Sequence, residues 1–450
     1  MFSKILIANR GEIALRVIRA ARELGIKTVA VFSESDRNAL HSVLADEKIC
    51  IGPSRASESY LNIPNLLSAA EITHADAIHP GYGFLAENPR FAEICESSGV
   101  TFIGPPASII KLMGNKSLAR QEMRKARLPI LPGSDKIIED IAEAKKIAKK
   151  MGYPVILKAA AGGGGKGMRV ARSQAQLEEQ FSLAQNEAKS SFNDSSLYIE
   201  KYMPDARHIE IQVIGDKKGN VVALGERECS IQRKHQKLLE ESPSPFVDER
   251  LRRKIVKSAE DAARFIGYES LGTFEFLVDE KKNFYFMEAN TRVQVEHPIT
   301  EMVYNIDLVK EQIAIAAGEE LSITDDLEIR GHSMECRINA EDPVTFSPSP
   351  GTIDFLVLPG GAGIRVDSAA YQGWKIPPDY DSLVAKIGAL APSRAQVIKK
   401  MQAAIEMTTI VGIKTNLPLH LSILSDSDFL EGRYNTQFME RFSGKNNNSK

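Results

Sequence analysis

Apolar and polar positions follow two different periods along the chain, and the switches between them lay out its elements. Lys4–Ala8 is a short apolar run that reads as a strand, and Glu12–Leu24 carries Ile13, Val17, Ala20, Ala21 and Leu24 at helical spacing, with Gly25 as a stop. Thr28–Phe32 predicts a second strand, Ala75–His79 a third, Ala86–Ser97 a helix and Val100–Ile103 another strand. Strands alternating with helices predict a parallel sheet with crossover helices. Residues 105–135 read as a connector: Pro105-Pro106, Pro129 and Pro132-Gly133 break the chain around one helix over Ser108–Ala126. Ile137–Lys150 is an amphipathic helix, Pro154–Lys158 and Met168–Ala171 are strands, and Leu197–Met203 is a strand ended by Pro204. In Arg207–Ile214, His208, Glu210 and Gln212 alternate with Ile209, Ile211 and Val213, the pattern of a half-buried strand. Arg252–Phe265 and Leu308–Ala317 predict helices, and Met334–Asn339 a strand bearing Arg337. Residues 444–450, rich in Asn and Lys, read as disordered. The fold class is therefore α/β and α+β, with an N-terminal Rossmann-like parallel sheet and mixed sheets after it.

Residues 287–298, Met-Glu-Ala-Asn-Thr-Arg-Val-Gln-Val-Glu-His-Pro, carry the densest candidate chemistry. With a period of two, Glu288, Asn290, Arg292, Gln294 and Glu296 share one face. Fully extended, that row spans roughly 26 Å, enough to line a cleft. Upstream, Gly272–Val278 and Asn283–Glu288 predict a hairpin around Asp279–Lys282. An even-length loop sets Glu275 opposite Glu288; an odd-length loop puts them on opposite faces. Facing carboxylates repel, so one tends to protonate unless a cation intervenes. Two Glu and the Asn290 amide are hard oxygen donors suited to Mg²⁺ or Mn²⁺.

Two glycine-rich stretches and one basic run add candidates. The Gly162–Gly167 run matches G-x-G-x-x-G only degenerately, and a strand follows it where the dinucleotide fingerprint needs a helix. It also fails the P-loop pattern, because Gly167 follows Lys166. A mobile phosphate flap is favoured over a plain flexible loop, with Lys158 just before it. His79–Phe84 falls at the carboxyl end of a strand, where ligands of open sheets collect, and equally fits a plain turn. Arg227–Lys237 reads as a solvated loop unless it faces the Glu288–Glu296 row. Lys116 has no local argument for function.

Composition narrows the partners. The 450 residues carry a net charge of −2, so no basic field points to nucleic acid or an anionic membrane. No apolar run approaches about 18 residues, the N-terminus lacks a signal-peptide layout, and the four scattered Cys form no zinc or disulfide pattern. Cytoplasmic location is the expectation.

Several motifs in order then match one family. KILIANRGEIALRVIRAARELG, HPGYGFLAEN, GGGGKGMRV, EKYMPDARHIEIQV, RECSIQRKHQKLLEESP, EANTRVQVEHPITE and MECRINAEDP resemble those of biotin carboxylases, the ATP-grasp component of biotin-dependent carboxylases. The resemblance runs from Lys4 to about residue 417. It implies an N-terminal domain over 1–114, linker helices over 115–134, an ATP-grasp lid over 135–203 and a C-terminal domain over 204–443. It implies that ATP meets Lys116, Lys158, Gly164, Gly165, Glu200, Lys201, Tyr202, Met203, His208, His235, Glu275 and Glu288. Glu275, Glu288 and Asn290 are expected to bind two Mg²⁺ or Mn²⁺ ions. Lys237, Arg292 and the Val295 backbone are expected to hold bicarbonate, with Glu296 as its base, and Arg337, Tyr82 and Gln294 to face biotin. The expected catalytic set is Arg292, Glu296, Arg337 and Lys237. No Met-Lys-Met biotinylation motif occurs in the sequence, so biotin is expected on a separate carrier protein, alongside carboxyltransferase subunits and a homodimeric partner copy. A component of acetyl-CoA carboxylase is the first expectation and a split pyruvate or other acyl-CoA carboxylase the second. The competing readings are a carboxylate–amine ligase of the same fold and a non-catalytic, ATP-sensing subunit.

Overall fold

In the computed structural model, all residues are described except 135, 139, 161–167, 235, 325–326 and 448–450. The N-terminal elements are β1 (Lys4–Ile7), α1 (Gly11–Glu23), β2 (Lys27–Ser33), α2 (Leu40–Leu44), β3 (Glu47–Gly52), α3 (Ile63–Thr73), β4 (Ala77–His79), α4 (Pro89–Ser97) and β5 (Thr101–Phe102). The strands form the expected parallel sheet, in the order β3-β2-β1-β4-β5. Ile5, Leu6 and Ile7 are buried on both faces, as crossover helices require. The helix expected from Ala86 starts at Pro89, because the Asn88 side chain accepts from the Phe91 N–H and Pro suits the first turn. Asn9, in the first strand–helix turn, donates to the carbonyls of Pro80 and Tyr82 (2.7 Å each), tying down the loop after β4. A Cβ on Gly81, at φ +61°, would lie 2.9 Å from the Asn9 amide nitrogen, so this turn requires glycine.

The single helix expected over Ser108–Ala126 is two, α5 (Ala107–Gly114) and α6 (Lys116–Lys125). Asn115 separates them and caps α6 by accepting from the Leu118 N–H. This places Lys116 at the first turn of a helix. Next come α7 (Ile141–Met151), β6 (Val155–Ala159), β7 (Arg169–Ala171), α8 (Gln174–Phe192) and β8 (Leu197–Lys201). They build a three-stranded sheet, β7-β6-β8, with its own core of Ala144, Ala148, Val155, Leu157, Leu177 and Ile199.

The remaining elements are β9 (Arg207–Gly215), β10 (Val221–Arg233), β11 (Gln236–Ser242), α9 (Glu249–Phe265), β12 (Ser270–Val278), β13 (Phe284–Asn290), α10 (His297–Tyr304), α11 (Leu308–Ala316), β14 (His332–Asn339), β15 (Phe355–Val357), β16 (Ile364–Ser368), β17 (Leu383–Ala391), α12 (Arg394–Glu406), β18 (Thr409–Val411), α13 (Leu417–Leu424), α14 (Ser427–Leu430) and α15 (Phe438–Asn447). An eight-stranded antiparallel sheet runs β13-β12-β9-β10-β11-β14-β17-β16, and β15 pairs with β18 alone. Several expectations are corrected here. Of the two readings of Arg227–Lys237, the run facing the acidic row is the one found: Arg227–Arg233 ends β10, Gln236–Lys237 begins β11, Arg227 has no exposure at all and Lys237 meets Glu296. β9 is buried along its whole length because neighbouring strands flank both edges and its polar face looks into the site. The tail expected to be disordered is helical as far as Asn447. Among the described residues no helix is long and apolar enough to cross a membrane.

The β12–β13 hairpin resolves the question of register. Val278 pairs with Phe284 and Phe276 with Phe286, which makes the loop odd in length, contrary to the even loop expected. Lys282 takes φ +63°, the left-handed residue that such three-residue loops use. A bulge then adds Met287 on the β13 side, and Glu275 pairs with Glu288 after all. The extended row expected through Glu296 ends at Asn290. Residues 291–296 turn out of the sheet instead, and Glu296 sits at the N-terminal boundary of α10 without a side-chain capping bond, with Pro298 in the first turn.

Candidate active site

Four neighbouring strands each contribute an ionisable group to one buried cluster. Alternation on β9 sends His208, Glu210 and Gln212 to one face; β10 adds Arg227, β11 adds Lys237 and β12 adds Glu275. Lys237 Nζ contacts Glu210, lies 2.6 Å from Glu296 Oε1 and 3.2 Å from Glu275 Oε1. His208 Nε2 lies 2.9 Å from Glu275 and 3.3 Å from Glu210. The fully buried Arg227 donates to Gln212 (2.7 Å), Gln294 (2.6 Å), Thr273 (2.9 Å), Thr300 (3.0 Å) and Glu210 (3.2 Å). Arg337 Nη2 reaches both Glu296 (2.9 Å) and Glu240 (2.5 Å). Because the chain turns at Thr291, Arg292 comes back over the site, donating to Asn290 Oδ1 (3.0 Å) and to Glu87 (2.9 Å) from the N-terminal sheet unit. Val295 presents its carbonyl to Lys386 Nζ at 2.9 Å.

A second group lies alongside. Lys116 Nζ is 3.2 Å from Glu288 Oε2. Lys158 donates to Glu200 at 2.5 Å, and Arg120 contacts the same carboxylate from α6. Lys116 and Glu275 interact electrostatically, as do Glu288 and both Lys158 and His208, so the two groups share one charged surface.

Not every expected residue faces open space. Gln294 is buried between Arg227 and Glu275 rather than opening toward Arg337. Lys201 spends its ammonium on the carbonyls of Gly152 and Tyr153. The Tyr202 N–H donates to the Pro154 carbonyl at 3.1 Å, and Met203 is half-buried beside it. Tyr82 directs its hydroxyl to Glu12 while within electrostatic reach of Arg337. Gly164, Gly165 and His235 lie outside the described residues. Local sequence patterns mark Glu210 only as part of a polar strand face, and they miss Arg120, Arg227, Glu87 and Glu240. Glu210 and Arg227 stand in an alternating strand and a basic run that could have flagged them, and Glu87 and Glu240 lie within the quoted motifs HPGYGFLAEN and RECSIQRKHQKLLEESP; Arg120 carries no local signal.

The electrostatics correct one expectation. Glu275 and Glu288 do face each other, yet neither is driven to protonate. Burial pushes the Glu275 carboxyl up, but Lys237 and His208 outweigh it and hold it at about 2. Lys116 is the main cause holding Glu288 below the usual carboxylate range. Burial likewise opposes, and Lys237 and His208 overcome, at Glu210, also about 2. His208 is lowered by burial and raised more strongly by Glu275 and Glu210, to about 9, so it is cationic at neutral pH. Protein cations already settle the repulsion. Glu275, Glu288 and the Asn290 amide still offer the hard oxygens that suit Mg²⁺ or Mn²⁺, although Asn290 Nδ2, not its oxygen, faces Glu275 (2.7 Å). The close three-donor groups among the described residues are His208–Glu210–Glu275 and Glu210–Cys229–Glu296, neither of which includes Glu288.

A small sheet carrying a buried lysine beside a larger sheet lined with paired carboxylates and lysines defines an ATP-dependent ligase of the ATP-grasp class. Three family models cover the chain: the biotin carboxylase N-terminal domain over residues 1–110, the carbamoyl-phosphate synthase L chain ATP binding domain over 115–324 and the biotin carboxylase C-terminal domain over 335–441. The biotin carboxylase of Haemophilus influenzae is 55% identical over 99% of this chain and 100% of its own. A pyruvate carboxylase subunit from Methanothermobacter thermautotrophicus is 51% identical over 98% of this chain and 90% of its own. The structure of a Campylobacter jejuni biotin carboxylase in a β,γ-ATP complex superposes with a TM-score of 0.96, at 50% identity, over 98% of this chain and 99% of that one. The chain belongs to the biotin carboxylase family.

Proposed function

We propose that the chain uses ATP and bicarbonate to carboxylate biotin held on a carrier protein, as the first half-reaction of acetyl-CoA carboxylase. The observation that carries this is Glu296 held between Lys237 and Arg337, at 2.6 and 2.9 Å. Burial raises its proton affinity, and Lys237, then Arg337 and Arg227, lower it more, so Glu296 is an ionised base beside cations that can hold an anion. Glu296 removes the proton of bicarbonate as it attacks the γ-phosphate of ATP. Lys116 and Lys158 neutralise phosphate charge, and Arg292, braced by Glu87, orients the bicarbonate. A divalent ion held by Glu275, Glu288 and Asn290 would supply further charge neutralisation on the phosphoryl oxygens. Carboxyphosphate gives CO₂ and phosphate, the phosphate deprotonates the ureido nitrogen of biotin, and Arg337, always cationic, stabilises the enolate that attacks CO₂. Glu200, Tyr202, Met203 and His208 line the nucleotide side in this reading, and Tyr82 the biotin side.

The test is ADP release with and without bicarbonate and free biotin, in wild type and Glu296→Ala. Turnover dependent on bicarbonate and lost in the variant supports carboxylation. Amine-dependent ADP release would mean a carboxylate–amine ligase, and ATP binding without turnover a sensing role. Similarity to a pyruvate carboxylase component keeps the second acceptor open. Coupling to carrier and carboxyltransferase partners separates the two by whether malonyl-CoA or oxaloacetate forms.

A further inference from the structure

Behind Arg337 the sheet buries two carboxylates face to face. Glu240 on β11 pairs in register with Glu335 on β14, and they are 0% and 1% exposed. Among the described residues no hydrogen-bond donor serves Glu240 Oε2 or Glu335 Oε1. Their nearest cations are already shared: Arg337 also holds Glu296, and Lys386 also lies 3.1 Å from Glu12 and 3.9 Å from Asp367. Two dehydrated carboxylates without a cation of their own cannot both stay ionised.

We propose that Glu240 is a proton acceptor behind the site, which takes over the proton that Glu296 removes from bicarbonate, while Glu335 is its neutral neighbour and no part of the transfer. This rests on the carboxylation reading above. Glu240 Oε1 and Glu296 Oε2 flank the same Arg337 nitrogen at 2.5 and 2.9 Å, a separation one bridging water can span. The step is a plain proton transfer. The O–H bond on Glu296 breaks, one forms on Glu240, Glu296 returns to a carboxylate and the summed charge of the two is unchanged. Its direction follows from the neighbours. When Arg337 turns to the ureido oxygen of biotin, Glu296 keeps Lys237 at 2.6 Å, whereas Glu240 keeps no cation in contact among the described residues. The proton then settles on Glu240, and Glu296 is reset as a base.

Among the described residues, few titratable groups face Glu240. Glu335 and Arg337 come from β14, Glu296 from the turn before α10 and Lys237 from β11. The Cys229 and Cys336 thiols also interact with it electrostatically, Cys336 from the opposite face of β14, and burial holds both well above their usual range and therefore neutral. Burial pushes Glu240 up to about 7 against the pull of Arg337, and burial with Glu240's own charge pushes Glu335 well above the usual carboxylate range. Arg337 contacts Glu240 at 2.5 Å, and among the described residues no ion pair reaches Glu335, so Glu335 holds the resting proton and Glu240 is the member free to accept another.

The test is the pH profile of kcat for bicarbonate-dependent ADP release, with Mg²⁺, free biotin and saturating bicarbonate. Wild-type kcat should fall as pH drops through about 7, where Glu240 fills. Glu240→Gln should lower kcat by about 10²-fold, the low end for a positioned proton carrier. It should also abolish the limb near neutrality and leave KM for ATP unchanged. Glu335→Gln copies a neutral acid and should retain wild-type kcat and limb. A Glu240→Gln enzyme with wild-type kcat and limb overturns the proposal, as does equal loss in both variants, which would mark a structural pair. If Glu240→Gln fails to fold, the wild-type profile decides: a kcat flat from about pH 8 to 5.5 overturns the proposal. A wild type without bicarbonate-dependent ADP release would instead refute the carboxylation reading itself.

Discussion

Replacing Lys237 with Met removes a cation that touches three carboxylates. At an effective dielectric of about 20, its gross attraction is about 6 kcal/mol to Glu296 at 2.6 Å and about 5 kcal/mol to Glu275 at 3.2 Å. Most of this offsets desolvation, so the net loss on breaking such a buried set is about 3–5 kcal/mol. The loss should depend on pH. Without Lys237 the folded-state proton affinity of Glu210, Glu275 or Glu296 rises, and one of them fills. A folded state that binds one proton more than the unfolded state gains about 1.4 kcal/mol for each pH unit of acidification. The variant's deficit should therefore be full near pH 8 and shrink by about 2–3 kcal/mol by pH 6. Urea unfolding of wild type and Lys237→Met at the two pH values measures it. A deficit equal at both pH values, or below about 1 kcal/mol at pH 8, would refute the claim that this lysine holds the cluster ionised.

Other expectations follow from the same geometry. Glu87→Gln weakens the brace on Arg292 and should raise KM for bicarbonate about 10-fold, equivalent to about 1.4 kcal/mol, with kcat little changed in steady-state kinetics. Glu210 and Glu275 fall from 4.5 to about 2 on folding. Their stabilisation, about 3 kcal/mol each, is complete above the unfolded value and lost as pH falls through that window, which acid unfolding followed by circular dichroism will register. Inserting one alanine between Met287 and Glu288 moves Glu288 one place along β13 and should turn it away from Glu275; the lengthened chain should fold, by circular dichroism, yet show no Mg²⁺-dependent ADP release.

Much of the site was legible because strand chemistry has a period. His208, Glu210 and Gln212 share a face by alternation alone, and β9 keeps that alternation. The Glu275–Glu288 pairing was reached by a wrong intermediate step: the loop is odd, and a bulge that no propensity marks restores the register. Alternation misled after Asn290, where residues 291–296 still read as a strand. Packing decided otherwise, since burying Val293 in a core shared with α1 and α11 turns the segment out of the sheet. Arg227 looked like a surface cation in a basic run. It is buried because five side chains from β9, β12, the 291–296 turn and α10 converge on it, and no one of them announces that locally.

The sequence by itself determined the alternating parallel unit, the strand faces and, through the order of its motifs, the family. Those features depend on neighbours a few residues apart, which periodicity and spacing record. Only the tertiary structure decided which charges meet. Lys116 reaches Glu288, Arg337 lies between Glu240 and Glu296, and Lys386 holds the Val295 carbonyl. These partners lie tens to hundreds of residues apart, and only sheet order and register bring them within the few ångströms over which a buried charge finds its counter-ion.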